Sequence, residues 1–273
     1  MVDTGREWSA SFAGATTDAM EVYDRVLARL FTPWAHDLVD RLSPEPGAAV
    51  LDVACGPGTV AHILAERVGP SGHVIAIDVS PAMLAVARSK PVHHDVIEWI
   101  EAPADPLPVP TKSISGVTCQ QGLQFFTDKT AALAEMRRTL VDGGRALVSI
   151  WTQIEEMDFF RELYESVAAA VSRELADRYK PPFMLSGEEA AKHAEAAGFT
   201  DVELERVTLP GQVEGGAAAF IETLAASGIA SEIAALGDEQ RGAILDELAL
   251  RTRRFEQDGT WHGKLTASVL NLA

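Results

Sequence analysis

The fold of this chain is decided by the stretch Val50-Leu51-Asp52-Val53-Ala54-Cys55-Gly56-Pro57-Gly58-Thr59. It begins as a short apolar run, typical of a strand buried on both faces, and ends in glycines just before a helical pattern. Glycines at such a junction let the backbone approach a ligand closely, at the positive end of the helix. In an open parallel sheet the junction lies at the carboxyl ends of the strands, where ligands bind. A tight turn that needs glycine for its conformation alone is the alternative.

Strand and helix patterns alternate from Ala48 to Trp151. Gly69-Pro70 and Gly143-Gly144 each follow a helical pattern as a stop, and Ser80-Pro81 opens another as an N-cap and first-turn proline. The predicted strands are 48–53, 73–78, 96–100, 114–120 and 145–151, and the predicted helices include 59–67 and 128–140. With further strands at 202–209 and 265–270, this alternation predicts an α/β fold with a doubly wound, mostly parallel, seven-stranded sheet.

Helical patterns dominate the flanks of this alternating region. One covers 17–42 and is interrupted at Pro33, and a long one from Phe160 ends at Pro181-Pro182. A capping box at Ser186 opens another, and helices are predicted to fill most of 214–255. We expect one domain over 1–273 with a ligand-binding core at about 48–151. Lid and substrate segments are expected at about 1–46, 157–182 and 211–263.

Composition narrows the functional class. The 273 residues are 47% hydrophobic and carry a formal net charge of −17. A surface this negative repels phosphate backbones and anionic membranes, so we expect neither a nucleic-acid nor a membrane partner. No apolar run is long enough to span a bilayer, and no secretory pattern opens the sequence. Cys55 and Cys119 lie far apart without metal-type spacing, which favours reduced thiols and a cytoplasmic location.

A dinucleotide site is one interpretation of the glycine turn. Segment 56–61 matches Gly-x-Gly-x-x-Ala, and Asp78 lies at a suitable distance along the chain to hold ribose hydroxyls. Against this, Pro57 has no N–H to donate to a pyrophosphate. Asp52 places an anion near the turn, which suits a cationic or amine-bearing ligand better. A nicotinamide oxidoreductase is therefore the third of three alternatives.

Four segments in order carry a family resemblance. Segment 50–59 resembles the first motif of class I S-adenosylmethionine-dependent methyltransferases, and 76–84 resembles the second-strand motif of that family. Segment 119–126 resembles the stretch after strand four, and 135–145 the helix and Gly-Gly turn before strand five. The resemblance covers roughly 50–151 and is to the branch of ubiquinone and menaquinone biosynthesis enzymes, which methylates small molecules. It implies a Rossmann-like methyltransferase fold.

The resemblance implies roles for individual residues toward S-adenosyl-L-methionine and its product, S-adenosyl-L-homocysteine. Asp52 and the 54–58 backbone would hold the methionine end of the cofactor. Asp78 would accept hydrogen bonds from both ribose hydroxyls, Val79 and Met83 would pack on adenine, and Gln120 would lie beside the cofactor. The full cofactor set implied is Asp52, Ala54, Cys55, Gly56, Gly58, Asp78, Val79, Met83, Ala104, Asp105 and Gln120.

One position departs from the family pattern. The family usually has an Asp-Ala pair that binds the adenine amino group, and here Pro103 precedes Ala104. Asp105 follows and could reach adenine only if the loop has a different shape. Two hypotheses follow: adenine is bound less well here, or Asp105 substitutes for the missing acid.

The methyl acceptor is expected to lie among residues that the core does not need. We assign Tyr23, Phe31, Trp34 and Gln121 to the acceptor, because aromatic flanks suit an apolar lid. Core packing is the competing interpretation, and for Phe159, Phe160 and Phe220 it is the favoured one. The aromatic residues of the flanks are Trp8, Phe12, Tyr23, Phe31, Trp34, Phe159, Phe160, Tyr164, Phe183 and Phe220.

No catalytic residue is identified from the sequence. Transfer to oxygen often needs a base, and His36, Glu155 and His193 are candidates, although each is more simply a solvated or structural residue. His93 and its neighbour have no third ligand at metal spacing, so we expect no metal.

The leading interpretation is methyl transfer from S-adenosylmethionine to a small apolar or aromatic molecule. A protein of the same fold that binds cofactor structurally, or not at all, and serves another reaction or binds a ligand is the second alternative. The acceptor, the atom methylated and the oligomeric state stay open, with a homodimer as one alternative.

Overall fold

The computed structural model describes residues 14–91 and 94–273. Trp8, Phe12 and His93, which enter the expectations above, lie outside the described residues. The strands are β1 (Ala49–Val53), β2 (His73–Asp78), β3 (Ile97–Glu101), β4 (Ile114–Gln120), β5 (Leu140–Trp151), β6 (Val202–Glu214), β7 (Glu256–Gln257) and β8 (Thr260–Leu272).

Helices surround the strands. In the described residues they are α1 (Thr17–Tyr23), α2 (Arg29–Leu42), α3 (Thr59–Val68), α4 (Pro81–Ser89), α5 (Lys129–Thr139), α6 (Asp158–Ala170), α7 (Arg173–Asp177), α8 (Gly187–Ala196), α9 (Gly216–Phe220), α10 (Ala230–Ala235) and α11 (Asp238–Thr252). A π-helical turn, Asp24–Ala28, joins α1 to α2, and a 3₁₀ turn, Leu123–Phe125, follows β4. None of the helices among the described residues is long and apolar enough to cross a membrane.

The strands form one sheet in the order β3-β2-β1-β4-β5-β8-β6, with the two-residue β7 paired to β8. Neighbours among β1 to β5 are parallel, and β8 runs antiparallel to both β5 and β6. The predicted doubly wound, mostly parallel sheet is therefore confirmed, with one short strand beyond the seven expected. The strand order reverses between β1 and β4, which places a crevice at their carboxyl ends.

Local sequence signals explain where several helices begin. The Ser80 hydroxyl accepts a hydrogen bond from the Met83 N–H at 3.3 Å, and Pro81 occupies the first turn of α4. Ser186 forms the predicted capping box with Glu189 at the start of α8. Strand β4 has the predicted bounds.

The predicted interruption at Pro33 is wrong. Pro33 lies inside α2, which continues to Leu42. Proline removes the hydrogen bond to the carbonyl four residues earlier, and that residue, Arg29, is exposed to solvent, which reduces the cost. The π-helical turn directly before α2 is the real irregularity of this segment.

Three other predicted boundaries need correction. Helix α5 ends at Thr139, and Gly143-Gly144 lies inside β5, where Gly143 has φ +82° and the pairing with β4 shifts register. These glycines form a strand irregularity and not a helix stop. The helix that contains Phe160 ends at Ala170, well before Pro181. Strands β6 and β8 are longer than predicted, because they pair with each other along their full length.

The flanking segments build a second core beside the sheet. We call its rings the aromatic cluster, and they include Phe31 and Trp34 from α2, Trp151 from β5 and Phe159 from α6. Phe159 is fully buried and lies 5.5 Å from Trp261 between ring centroids. Core packing, the favoured interpretation for Phe159, Phe160 and Phe220, is therefore what the structure has. The members of the aromatic cluster are Phe31, Trp34, Trp151, Phe159, Phe160, Tyr164, Tyr179, Phe183, Phe220 and Trp261.

Candidate functional site

Two adjoining cavities lie at the carboxyl ends of the parallel strands. The large cavity measures about 420 Å³ and the small cavity about 50 Å³. They share a wall formed by Tyr23, Ala54, Gly56, Gln120 and Gln121. This wall joins the N-terminal helical segment to the ends of β1 and β4.

The loop between β1 and α3 forms the floor of both cavities. Ala54 and Gly56 have positive φ angles, and Gly58 has φ +82°. A Cβ atom on Gly58 would lie 2.6 Å from the ring of Trp99, so only glycine fits where the loop packs against β3. Gly58 thus lets the loop pack closely against Trp99, and it lines neither cavity.

Asp78, at the end of β2, connects to that loop. One carboxylate oxygen accepts a hydrogen bond from the Gly56 N–H at 2.8 Å, and the other accepts one from the Ser80 N–H at 2.8 Å. Burial raises the pKa of Asp78, and the two backbone donors oppose that shift. Asp78 also lines the large cavity, and a carboxylate oxygen can accept more than one hydrogen bond.

Asp52 is the buried acid of the small cavity. Its Oδ1 accepts a hydrogen bond from the Thr118 hydroxyl at 2.8 Å, while its Oδ2 has no partner in the described chain. Burial raises the pKa of Asp52 to about 7, although the Thr118 hydrogen bond lowers it and repulsion from Asp78 adds to it. Gln120 lines the same cavity, and its Oε1 is likewise buried without a partner while its Nε2 donates to the Phe31 carbonyl at 3.1 Å.

The far end of the large cavity is apolar. Val79 is 40% exposed beside it, and the side chain of Met83 in α4 lines the same wall. Pro103, Ala104 and Asp105 complete this end of the cavity. The structure thus brings Asp105 to the cavity, as the second of the two adenine hypotheses requires.

The turn after β4 forms the opposite wall. Gln121 has φ +55°, and its N–H donates to the Ser149 carbonyl at 2.9 Å. At Gly122 a Cβ atom would lie 2.6 Å from the Cβ of Ala54, so the turn contacts the glycine loop where no side chain fits. Sequence reasoning missed five residues of this wall. They are Phe125, Phe126, Thr127, Asp128 and Ala132.

The structure does not bring every predicted residue to the cavities. Trp34 is fully buried against Trp151 at a centroid distance of 5.3 Å and lines neither cavity. His36 and Glu155 are exposed elsewhere, and His193 bonds Thr130 at 2.8 Å between helices α8 and α5. Segments 157–182 and 211–263 contribute no residue to either cavity, because their aromatic residues pack into the aromatic cluster. Cys55 and Phe31 do line the small cavity.

Within the described residues, no group of three or more His, Cys, Asp or Glu side chains could hold a metal ion. The charged side chains that line the two cavities in the described chain are Asp52, Asp78, Asp105 and Asp128. Both cavities therefore present carboxylates, and their remaining polar side chains are uncharged at neutral pH.

Comparison with known sequences identifies the family. Residues 18–209 match the model of the ubiE/COQ5 methyltransferase family. The chain belongs to this family. The match includes the Tyr23 segment, the glycine loop, Asp78 and the turn after β4, and the predicted resemblance is thereby confirmed.

Curated relatives align over the sheet region. The chain is 36% identical over 143 residues to the 2-phytyl-1,4-naphtoquinone methyltransferase of Thermosynechococcus vestitus, covering 52% of this chain and 64% of the relative. It is 41% identical over 118 residues to the ubiquinone/menaquinone biosynthesis C-methyltransferase of Hahella chejuensis, covering 42% of this chain and 47% of the relative. The alignments thus span about half to two thirds of these relatives.

A solved structure shares the fold. A SAM-dependent methyltransferase from Aquifex aeolicus superposes with a TM-score of 0.55 at 21% identity, over 70% of this chain and 92% of that chain. The Rossmann-like methyltransferase fold is therefore confirmed.

Proposed function

We propose that this protein transfers a methyl group from S-adenosylmethionine to a carbon atom of a small quinone-type aromatic ring. The observation that carries the proposal is a pair of buried oxygens, Asp52 Oδ2 and Gln120 Oε1, in residues that line the small cavity; neither oxygen has a partner among the described residues. Both are acceptors, and a ligand ammonium group is the donor that would pair them. Family membership and the names of the relatives support the choice of reaction and acceptor.

The methionine end of the cofactor fits the small cavity. Its ammonium would donate to Asp52 and Gln120, and ionised Asp52 would neutralise its charge. Its carboxylate would lie at the N-terminus of α3, where Gly58 as N-cap offers no side-chain acceptor to the first-turn N–H groups. The positive φ angles of Ala54 and Gly56 shape the loop for this approach.

The adenosine end fits the large cavity. Asp78 would accept from the two ribose hydroxyls while it holds the Gly56 and Ser80 N–H groups, which fixes its carboxylate in place. Val79 and Met83 would pack on the adenine ring. Asp105 is the nearby acceptor for the adenine amino group, and Pro103 supplies only an apolar contact. A volume of about 420 Å³ is in the range of sites for ligands of this size.

The reaction needs little covalent help from the chain. The bound sulfonium supplies an activated methyl group. The residues of this chain would position the acceptor in line with that methyl and exclude water, with Tyr23 and Phe125 contacting the ring. An electron-rich carbon of the reduced, hydroquinone-type ring would attack the methyl as the methyl–sulfur bond breaks, which leaves S-adenosylhomocysteine, and the ring proton would then pass to water. This route fits a site in which His36, Glu155 and His193 lie away from both cavities.

Several expectations stay predictions. They are the single-domain organisation over 1–273, the cytoplasmic location and the oligomeric state, for which a homodimer is one alternative. Cys55 and Cys119 are both buried free thiols, and burial raises the pKa of each, which suits structural rather than nucleophilic cysteines.

Turnover tests the proposal. The purified protein would be incubated with methyl-labelled S-adenosylmethionine and 1,4-naphthoquinone kept reduced, and the products separated by mass spectrometry. We expect labelled methyl on ring carbon, and its loss in Asp78→Asn. Binding of S-adenosylhomocysteine without methylation of any hydroquinone or naphthol offered would overturn the transfer reaction and favour a cofactor-binding protein of the same fold.

A further inference from the structure

Two glutamines in the turn after β4 are buried in an unusual way. Gln121 is 7% exposed and Gln124 is 5% exposed, and neither amide oxygen nor amide nitrogen of either residue has a partner in the described chain. Buried polar groups in proteins are nearly always paired. Gln121 lines both cavities, whereas Gln124 lines neither, so the unpaired amide of Gln121 indicates a partner that binds in the cavities and lies outside the described residues.

The position of the turn indicates which partner this is. Gln121 forms part of the wall shared by the two cavities, and Phe125 lines the large cavity while it also packs against the aromatic cluster. The turn thus separates the proposed cofactor site from the apolar interior of the flanking segments. An apolar ring that reaches the methyl group would lie against this turn.

The chain holds Gln121 in a defined conformation. Its left-handed backbone, φ +55°, is sparsely populated by residues other than glycine. The hydrogen bond to the Ser149 carbonyl and the contact of Gly122 with Ala54 hold the turn on both sides. Strain that is stabilised in this way is typical of ligand-binding positions.

The chemistry of the unpaired atoms restricts the ligand. Asp52 and Gln120 leave acceptors only, which suits a cation, whereas the amide of Gln121 offers both a donor and an acceptor. A hydroxyl or carbonyl group uses both kinds of partner. A carboxylate on the ligand would find no basic side chain, since the charged groups of the described cavity walls are all aspartates.

We propose that Gln121 binds the uncharged oxygen-bearing group of the methyl acceptor and selects a neutral hydroxyl or carbonyl over a carboxylate. The inference rests on the proposed function for the identity of the ligand as methyl acceptor. Gln121 is the acceptor-binding residue in it, and Gln120 stays on the cofactor side.

Binding of three related probes tests this without turnover. Naphthalene, 1-naphthol and 1-naphthoate would be titrated into the protein saturated with S-adenosylhomocysteine, and the Kd of each measured by tryptophan fluorescence. We expect 1-naphthol to bind at least tenfold more tightly than 1-naphthoate. Gln121→Leu should weaken 1-naphthol about tenfold and leave naphthalene within twofold, since only a hydrogen bond is removed.

Controls separate this from misfolding. Gln240→Leu, at an exposed position of α11, should leave all three Kd values unchanged. Equal loss of naphthalene and 1-naphthol affinity in Gln121→Leu would assign a merely structural role to the amide and overturn the proposal. Unchanged affinity for both probes would assign the amide to water and overturn it too. No binding of any probe to the wild type also overturns it. If the protein transfers no methyl group but still prefers 1-naphthol, the proposed function is contradicted. The role of Gln121 in binding an uncharged oxygen group would then still hold.

Discussion

Two regions of the molecule differ in how their side chains are packed and paired. One is the end of the sheet that holds the cavities, and the other is the aromatic cluster. At the cavities, Asp52, Gln120 and Gln121 have buried polar atoms without partners in the part of the chain that the structure describes, and Gly122 occupies a place where no side chain fits. In the aromatic cluster, the rings pack against one another, and of its members Phe31 alone lines a cavity. Ligand chemistry is therefore expected where the chain leaves polar atoms unsatisfied, and stability where it packs rings. The two regions should respond to mutation independently.

Truncation in the aromatic cluster should give the largest effect on stability. Phe220 is fully buried and contacts Phe160 at a centroid distance of 5.2 Å and Trp261 at 5.6 Å. Phe220→Ala should lower the free energy of unfolding by about 3–5 kcal/mol in urea titrations, because it leaves a cavity. The Kd for S-adenosylhomocysteine should stay within about twofold under conditions where the variant is folded.

Phe255 provides the matched control. It packs on Phe159 at 5.5 Å but is half-buried, so Phe255→Ala should cost clearly less than Phe220→Ala. A large loss of cofactor affinity in folded Phe220→Ala would contradict the independence of the two regions.

Substitution of Asp78 should weaken ligand binding more than any other change proposed here. In Asp78→Asn the amide cannot accept from the ribose hydroxyls while also holding the Gly56 and Ser80 N–H groups. Hydrogen bonds to charged groups contribute about 1.5–3 kcal/mol each, so the Kd for S-adenosylhomocysteine should rise about 100-fold. Calorimetric titration measures it, with the exposed Asp201→Asn as control. A change below about threefold would remove Asp78 from the site.

Asp52 should make cofactor binding depend on pH. Its pKa of about 7 in the ligand-free protein means that it ionises as the pH rises through neutrality, and the ionised form pairs with the ammonium of the ligand. The affinity for S-adenosylhomocysteine should therefore increase between pH 6 and pH 8, by up to about tenfold. Asp52→Asn should bind weakly and without this dependence. A flat profile in the wild type would contradict the role.

The raised pKa of Asp52 also predicts that the ligand-free protein becomes less stable as the pH rises. The unfolded-state pKa of an aspartate is about 3.9, and the folded-state value is raised, so the ligand-free wild type loses stability as the pH rises from about 4 through 7. Asp52→Asn lacks this loss, so its Tm relative to wild type should increase by several degrees from pH 5 to pH 8. Thermal melts at the two pH values measure the difference.

Substitutions at Asp105 and Pro103 should change cofactor affinity the least. Their effects decide between the two adenine hypotheses. If Asp105 substitutes for the missing acid, Asp105→Ala should weaken S-adenosylhomocysteine about threefold to tenfold, since one exposed hydrogen bond is lost. If adenine is bound less well for lack of the acid, Pro103→Asp should instead tighten binding. Unchanged affinity in both variants would exclude both hypotheses.

Motif-bearing positions of the cavity region could be predicted from the sequence. The bounds of β4, the Ser80 cap and the placement of Asp78 at the glycine loop follow from local chemistry that a short segment carries by itself. The course of α2 through Pro33 could not be predicted, because it depends on the exposure of Arg29 and on the π-helical turn before it.

The sequence distinguished less well between aromatic residues that line a cavity and aromatic residues that pack in the core. The location of Trp34 in the core and of Phe125 on the cavity is decided by which helix packs where, and both are aromatic residues in apolar sequence. Unpaired amides such as Gln124 cannot be recognised before burial and hydrogen bonds are known. The candidate site was thus predictable where residue type determines the role, and unpredictable where packing does.

The central claim is that these cavities hold S-adenosylmethionine, and one calorimetric experiment tests it most directly. The purified protein would be titrated with S-adenosylmethionine, with S-adenosylhomocysteine and with NAD as the control. The arrangement of Asp52, Gln120 and Asp78 predicts micromolar binding of both sulfur ligands and no binding of NAD. Binding of NAD in their place, or of none of the three, would contradict the assignment.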